Sequence, residues 1–156
     1  MKVLIVNASP RRNGNTTIAL GEMVNVFEKE GVEVEVLNIG NQDIYSTHFE
    51  KTMKVGASVV VARRGGLSAT FDELNKYFTI SGMPVASSEY WNSIHGMEKG
   101  EAAYDKEGLY NMRVLARNMT FLMKSIALGK AEYGMPEKEE HVWTNFISKG
   151  NPAQKV

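Results

Sequence analysis

The sequence predicts an α/β protein in which helices cover both faces of a parallel sheet. Strand-like and helix-like segments alternate along the chain, from a buried strand at residues 2–8 to a long amphipathic helix at residues 109–128. Such alternation is typical of parallel sheets with right-handed crossovers. The 156 residues suffice for one domain with a substantial core. We predict that residues 1–135 form this domain and that residues 136–156 form a C-terminal extension or tail.

The first three elements occupy the first 39 residues. Residues 2–8 are nearly all apolar and rich in β-branched side chains, which predicts a central strand buried on both faces. Residues 17–30 carry apolar side chains at helical spacing, and Gly31 follows where the helix should end. Residues 32–39 alternate apolar and acidic side chains, which predicts an edge strand with one exposed face.

The rest of the chain adds two strands and two helices. Residues 55–62 predict a strand, and the helix after it carries Thr70 and Glu73 at the spacing of a capping box. Residues 83–91 predict the next strand, and residues 109–128 predict the last helix. The first of these helices should bury Phe71, Leu74 and Phe78. The last should bury Met112, Leu115, Met119, Leu122, Met123 and Ile126.

The composition excludes several classes of protein and site. The chain has no cysteine, which rules out disulfides, thiolate chemistry and cysteine-held metals, so any redox chemistry requires a bound cofactor. Its 18 basic and 18 acidic residues balance, which gives no reason to expect a nucleic-acid or membrane partner. No secretory signal or membrane-length apolar run occurs in the sequence, so we expect a cytoplasmic protein. The three histidines lack ligand spacing, and we predict no metal site.

The loop between the first strand and the first helix offers more hydrogen-bond donors than a turn requires. It lies at the carboxyl end of a strand, where parallel sheets bind ligands, and it leads into a helix N-terminus, which favours anions. It lacks the Walker pattern and the G-x-G-x-x-G pattern. The alternative is a simple turn with solvated arginines, but the agreement of strand, loop and helix favours a phosphate site. Its candidate ligands are Ser9, Arg11, Asn13, Asn15, Thr16 and Thr17.

Three motifs give the chain a family resemblance. The segments NASPRRNGNTT, ARRGG and YWNSIHG resemble the NADPH-dependent FMN reductase and iron–sulfur flavoprotein branch of the flavodoxin-like proteins. The resemblance implies a three-layer α/β/α fold and a loop that holds the FMN phosphate through the candidate residues above. It also implies that NAD(P)H is the electron donor. By similarity of position, the residues beside the flavin ring or ribityl chain would be Arg63, Arg64, Gly65 and Gly66.

The sequence departs from the family in its middle. The flavodoxin-like sheet has strand order 2-1-3-4-5, with the third strand at its centre. Here the segment after the second strand runs directly into residues that resemble the end of a later helix, near positions 44 and 45. We therefore predict four strands instead of five, without the third strand and its flavin-contacting loop.

The leading functional hypothesis is an FMN-binding oxidoreductase that uses NAD(P)H to reduce a flavin, a quinone or a protein acceptor. The flavin would carry the chemistry, so no catalytic side chain is predicted. Tyr90 and Trp91 could flank the flavin ring, close the core or pack against a partner subunit. The competing hypothesis is a non-catalytic module that binds phosphate or forms oligomers. In either case, the missing strand and the aromatic-rich segment SSEYWNSIHG, which contains Tyr90 and Trp91, predict a homodimer or larger homo-oligomer.

Overall fold

The fold alternates parallel strands with helices, which confirms the predicted α/β class. A computed structural model describes residues 1–11, 13–40, 51–140, 142 and 144. None of the helices in these ranges combines the length and apolar character that crossing a membrane requires. The elements are strands β1 Lys2–Asn7, β2 Glu33–Asn38, β3 Val60–Ala62 and β4 Ser93–His95, helices α1 Asn15–Lys29, α2 Leu67–Thr79 and α3 Lys106–Tyr133, and a 3₁₀ helix at Glu101–Tyr104.

The strands form two parallel pairs. β2 lies alongside β1, with Lys2 opposite Glu33 and Asn7 opposite Asn38, and β1 is its one partner among the described residues, as predicted for an edge strand. β3 pairs with β4 over three residues, and an isolated bridge joins Gly56 to Val85 further back along the same two segments. Within the described chain, no hydrogen-bonded ladder joins the two pairs.

The main core lies between one face of the strands and the helices α1 and α3. Val3 and Ile5 of β1 point into it, together with the fully buried Phe27 of α1 and Leu115 of α3. An ion pair of 2.6 Å between Arg113 Nη1 and a Glu22 carboxylate oxygen also links the two helices. The prediction that residues 109–128 form a core helix is confirmed for its first half, although α3 is longer than predicted.

The opposite face of β1 is open, so the prediction that this strand is buried on both faces is wrong for the described chain. Leu4 is 56% exposed and Val6 is 48% exposed, whereas their neighbours Val3 and Ile5 are buried. The apolar run indicates a strand that can be buried, but it does not show whether one face or both faces are covered. Its outer face is exposed because no described helix packs there.

Helix α2 covers the second face at β3. The Ser58 hydroxyl donates to the side-chain oxygen of Asn75 on α2, at 2.7 Å, and the Gly56 backbone lies against the Phe78 ring. Ala57, Val59 and Val61, which alternate with Gly56, Ser58 and Val60 along the same segment, pack against the main core instead. Since adjacent strand residues point to opposite faces, α2 and the pair α1–α3 lie on opposite sides of this strand. The three-layer arrangement is therefore present at β3.

The predicted details of α2 need correction. Its first helical residue is Leu67, and the Thr70 hydroxyl donates to the Gly66 carbonyl within the first turn, so Thr70 does not begin a capping box. The predicted buried stripe is also wrong, since Phe71 and Phe78 are half-buried and Leu74 is exposed. Among the described residues, α2 packs on one face of the short β3–β4 pair, so much of the helix surface is exposed to solvent.

The fourth strand lies further along the chain than predicted. The predicted strand at 83–91 is represented by the bridge at Val85, and β4 itself begins at Ser93. Between them the Ser88 amide donates to the Asn92 side chain at 3.2 Å, and the Ser88 hydroxyl donates to the Tyr90 carbonyl. These side-chain bonds replace strand pairing with a turn. Tyr90 and its neighbour Trp91 therefore precede β4 instead of following a strand at its ligand end.

The C-terminal end of α1 fits the sequence well, whereas the helix begins at Asn15, two residues before the predicted start. The helix ends in a Schellman motif, in which the Gly31 amide donates to the Glu28 carbonyl and the Val32 amide donates to the Phe27 carbonyl. Gly31 has a φ of 71°, which glycine adopts without the penalty that other residues incur. The glycine at this position was the sequence signal for the helix end, and that prediction is confirmed. The proposed domain limit at residue 135 stays a prediction, and most of the tail lies outside the described residues.

Candidate functional site

A cleft of about 360 Å³ opens at the carboxyl ends of the strands. Parallel strands bring their carboxyl ends to one edge of a sheet, and this edge is where α/β proteins bind ligands. The loop after β1 forms one wall, and the segments that follow β3 and β4 form the other. The residues that line it are Ser9, Pro10, Arg11, Gly14, Asn15, Thr16, Val61, Ala62, Arg63, Gly96 and Met97.

The end of β1 shapes the first wall. Asn7 is buried there, and its side chain donates to Asn38 on β2 while accepting from the Ser9 amide, both at 3.0 Å. The Ser9 hydroxyl oxygen accepts from the Arg11 amide at 3.3 Å, and the Gly14 amide donates back to the Arg11 carbonyl at 3.2 Å. Sequence reasoning missed Asn7. Its signal was an amide side chain at the end of an otherwise apolar strand.

The electrostatics of the cleft suit an anion. The amides of the first residues of a helix have no partner within it, so those of Asn15 and Thr16 lie at the N-terminus of α1, whereas the Thr17 amide donates to the Gly14 carbonyl at 3.0 Å. The first turn of α1 contains no acidic residue that would compete for them. Arg11 and Arg63 both line the cleft, and none of the described lining residues is acidic. This combination of free amides and guanidinium groups favours a phosphate or carboxylate ligand.

The structure brings together part of the predicted set of site residues. Ser9, Arg11, Asn15, Thr16 and Arg63 line the cleft. The other predicted residues are not among the lining residues, and these are Asn13, Thr17, Arg64, Gly65 and Gly66. Gly66 instead precedes the first residue of α2, and the side chains of Asn13 and Arg64 are exposed to solvent. Arg12, the neighbour of Arg11 in the same loop, lies outside the described residues.

The Asn15 side chain is engaged by the segment after β4. Its amide nitrogen donates to the Glu98 carbonyl at 2.9 Å. Its oxygen accepts from the amides of Gly100 and Ala102, at 3.0 and 3.2 Å. The sequence predicted Asn15 as a phosphate ligand, and the structure shows that most of its hydrogen-bonding capacity is used within the protein.

Glu101 organises the same segment. Its carboxylate accepts from the amides of Glu98 and Met97, at 2.9 and 2.7 Å. These hydrogen bonds lower the pKa of the Glu101 carboxyl, and the nearby positive charge of Arg63 acts in the same direction. Glu101 therefore remains ionised while it holds the loop that carries Met97, which is part of the cleft wall.

His95 and Asp105 form a contact beside the cleft. Asp105 accepts from the His95 amide at 2.7 Å, and the His95 ring nitrogen Nδ1 lies 3.4 Å from the same carboxylate oxygen. Asp105 also caps α3 by accepting from the Gly108 amide at 2.9 Å. His95 is not among the residues that line the cleft. The described residues include no cluster of potential ligands able to hold a metal ion.

Comparison with known proteins gives a match for the N-terminal part of the chain. Residues 1–56 match the family model for NADPH-dependent FMN reductase. This match contains β1, the loop of the cleft, α1 and β2, so the resemblance seen in the sequence is confirmed for these elements. The alternation of helices and parallel strands in the structure is consistent with the flavodoxin-like fold of that family. The predicted loss of a strand near residues 44 and 45 falls outside the described residues and stays a prediction.

A similar curated protein supports the same relationship. An iron–sulfur flavoprotein of Methanocaldococcus jannaschii is 36% identical over 44 residues, which are 28% of this chain and 23% of that protein. The chain thus matches about a quarter of the length of this relative. No solved structure gives a significant match.

Proposed function

We propose that this protein is an FMN-binding oxidoreductase of the NAD(P)H-dependent FMN reductase type. The observation that carries the proposal is the cleft at the N-terminus of α1, which two arginines line and no described acidic residue enters. The family match covers the loop and the helix that build this wall. An anionic group of the size of a phosphate satisfies the free amides and the guanidinium groups together.

The residues of the cleft fit the phosphate end of FMN. In the proposed complex the amides at the start of α1, the Ser9 hydroxyl and the Thr16 hydroxyl donate to phosphate oxygens, while Arg11 and Arg63 neutralise their charge. Bound FMN supplies the hydride and electron transfer. The protein side chains bind and orient the cofactor, and the proposal assigns no catalytic acid or base. The electron acceptor is a small molecule or another protein.

A titration with two flavins tests the proposal. FMN and riboflavin share the ring and the ribityl chain, and only FMN carries the phosphate. We expect FMN to bind more tightly than riboflavin, as measured by the quenching of flavin fluorescence on addition of protein, and the FMN complex to oxidise NADPH or NADH. Equal affinities would contradict the phosphate site. If neither flavin binds, the proposed function is wrong.

Arg11→Ala should weaken FMN binding by roughly 10–100-fold, because a charge-assisted hydrogen bond contributes about 1.5–3 kcal/mol. Thr16→Val, which removes one hydroxyl and keeps the side-chain shape, should have a smaller effect of the same kind. Riboflavin binding should change little in both variants. Arg117→Ala is the matched control, since Arg117 is exposed on α3 and is not among the cleft residues. Parallel losses for FMN and riboflavin would contradict the assignment of Arg11 to the phosphate.

A second candidate is a non-catalytic module that binds an anion or forms oligomers. The open face of β1 favours it, because Leu4, Val6 and the neighbouring Leu37 of β2 expose apolar surface on one side of the sheet. The two candidates differ in redox activity. Binding of FMN without any oxidation of NADPH or NADH, in the presence of a quinone or free flavin as acceptor, would favour the module.

We also propose that the chain forms a homodimer or a larger homo-oligomer. Exposed aromatic side chains support this proposal: Tyr90 and Trp91 form a tilted ring pair with centroids 4.7 Å apart, and Phe121 is exposed on α3. Tyrosine, tryptophan and phenylalanine are enriched in subunit interfaces. Sedimentation at micromolar concentration should therefore give a mass of two chains or more. A stable monomer would contradict the proposal.

A further inference from the structure

Asn15 joins the two walls of the cleft. It is the first residue of α1, on the wall formed after β1, and its three hydrogen-bond partners lie in the segment after β4. The residue is 9% exposed, so water competes little for these bonds. One amide group thus connects parts of the chain that are separated by more than 80 residues.

The backbone of Gly96 makes this arrangement possible. A Cβ atom at position 96 would lie 2.8 Å from Cγ of Asn15 and 2.9 Å from the Ala102 nitrogen. Distances below 3.0 Å do not occur for real Cβ atoms, so any larger residue would displace the Asn15 amide or the segment that it holds. Gly96 itself lines the cleft. Glycine is therefore required here by close approach and not by its backbone angles.

The segment after β4 is held together from within, and Asn15 is its described side-chain link to α1. Within the segment, the Glu101 carboxylate binds the amides of Met97 and Glu98. Across the cleft, Asn15 binds the carbonyl of Glu98 and the amides of Gly100 and Ala102. Loss of Asn15 should therefore release an internally ordered unit from the N-terminus of α1, and with it the Met97 wall.

We infer that Asn15 is a positioning residue, which fixes the spacing of the cleft by holding residues 96–102 against the start of α1. The consequence for binding rests on the proposed function, in which FMN occupies the cleft. Asn15 then supports affinity mainly through the wall that it places and not through a bond to the phosphate. This differs from the role that the loop motif alone suggests for it.

Hydrogen exchange in the ligand-free protein tests the positioning role without any flavin. In the unmodified protein, the amides of Gly100 and Ala102 should be protected, because Asn15 accepts from both. Asn15→Ala should raise their exchange rates by about tenfold or more, as expected for the loss of a buried hydrogen bond. The matched control is Asn118→Ala. Asn118 lies on α3 and donates to the Ser87 carbonyl, so its removal should leave the exchange rates of Gly100 and Ala102 unchanged. Unprotected amides in the unmodified protein would overturn the inference.

Gly96→Ala provides the second variant. It adds no hydrogen-bonding group and removes none, yet it should raise the same exchange rates because the new methyl group displaces Asn15. Both variants should also weaken the binding of FMN and of riboflavin by similar factors, since both flavins would use the Met97 wall. A loss confined to FMN in Asn15→Ala, with unchanged exchange at Gly100 and Ala102, would make Asn15 a phosphate ligand and overturn the inference. If the unmodified protein binds no FMN, the proposed function fails while the exchange experiment still decides the role of Asn15.

Discussion

Phe27→Ala should lower the free energy of unfolding by about 3–5 kcal/mol, the range for removing a buried aromatic ring. Phe27 is fully buried where α1 packs against β1 and α3. Its ring belongs to the cluster that contains Val3, Ile5 and Leu115, so the substitution leaves a cavity at the centre of the main core. The helix end should survive, because the Val32 amide donates to the backbone carbonyl of residue 27.

Urea denaturation followed by circular dichroism measures this effect. The control is Tyr77→Ala, which removes an aromatic ring of similar size that is 64% exposed on α2. Surface substitutions of this kind usually change stability by no more than about 0.5 kcal/mol. If both variants lose the same stability, the Tyr77 ring is covered in solution and the outer surface of α2 is an interface.

The N-terminal half of the fold could be predicted because its signals are local. β1, α1 and β2 follow from an apolar run, a helical stripe with a terminal glycine and an alternating strand, and each signal needs only neighbouring residues. The exposure of Leu4 and Val6 could not be predicted, since it depends on whether a distant helix packs over them. The error at β4 has a similar cause. Residues 83–91 have the composition of a strand, but the Ser88 amide donates to the Asn92 side chain, and this bond favours a turn over strand pairing.

The candidate site shows the same division between local and distant information. The composition of the loop after β1 and its position before a helix predicted an anion site, and the structure shows a cleft there. The role of Asn15 depends on Glu98, Gly100 and Ala102, which no spacing rule connects to it. Met97 and Gly96 were missed for the same reason. Of the predicted site residues in the ARRGG motif, only Arg63 lines the cleft, because α2 begins at Leu67, directly after the motif.

Asp105→Ala should lower the free energy of unfolding by about 2–3 kcal/mol at pH 7. The carboxylate accepts from two backbone amides, Gly108 at the start of α3 and His95 at the end of β4. Loss of a helix N-cap alone costs about 0.5–2 kcal/mol, and an amide left without a partner adds to this.

The effect should depend on pH in a defined direction. Burial acts to raise the pKa of the Asp105 carboxyl, but the amides of Gly108 and His95 and the His95 ring outweigh it, so the pKa is lowered. A carboxyl with a lowered pKa in the folded state contributes stability that is present above its unfolded pKa of about 3.9 and is lost as the pH falls through the folded value. The difference between the unmodified protein and Asp105→Ala should therefore be largest near pH 7 and should shrink towards pH 3.

Asp105→Asn separates the charge from the hydrogen bonds. It keeps one oxygen that can accept from an amide, and it has no proton to lose over this pH range. We expect a smaller loss of stability than for Asp105→Ala at pH 7, and a difference from the unmodified protein that also declines as the pH falls. Urea denaturation of the three proteins at pH 7, 5 and 3 measures both. If Asp105→Ala costs as much at pH 3 as at pH 7, the ionised carboxylate is not the stabilising group, and the contribution of residue 105 arises from packing between β4 and α3.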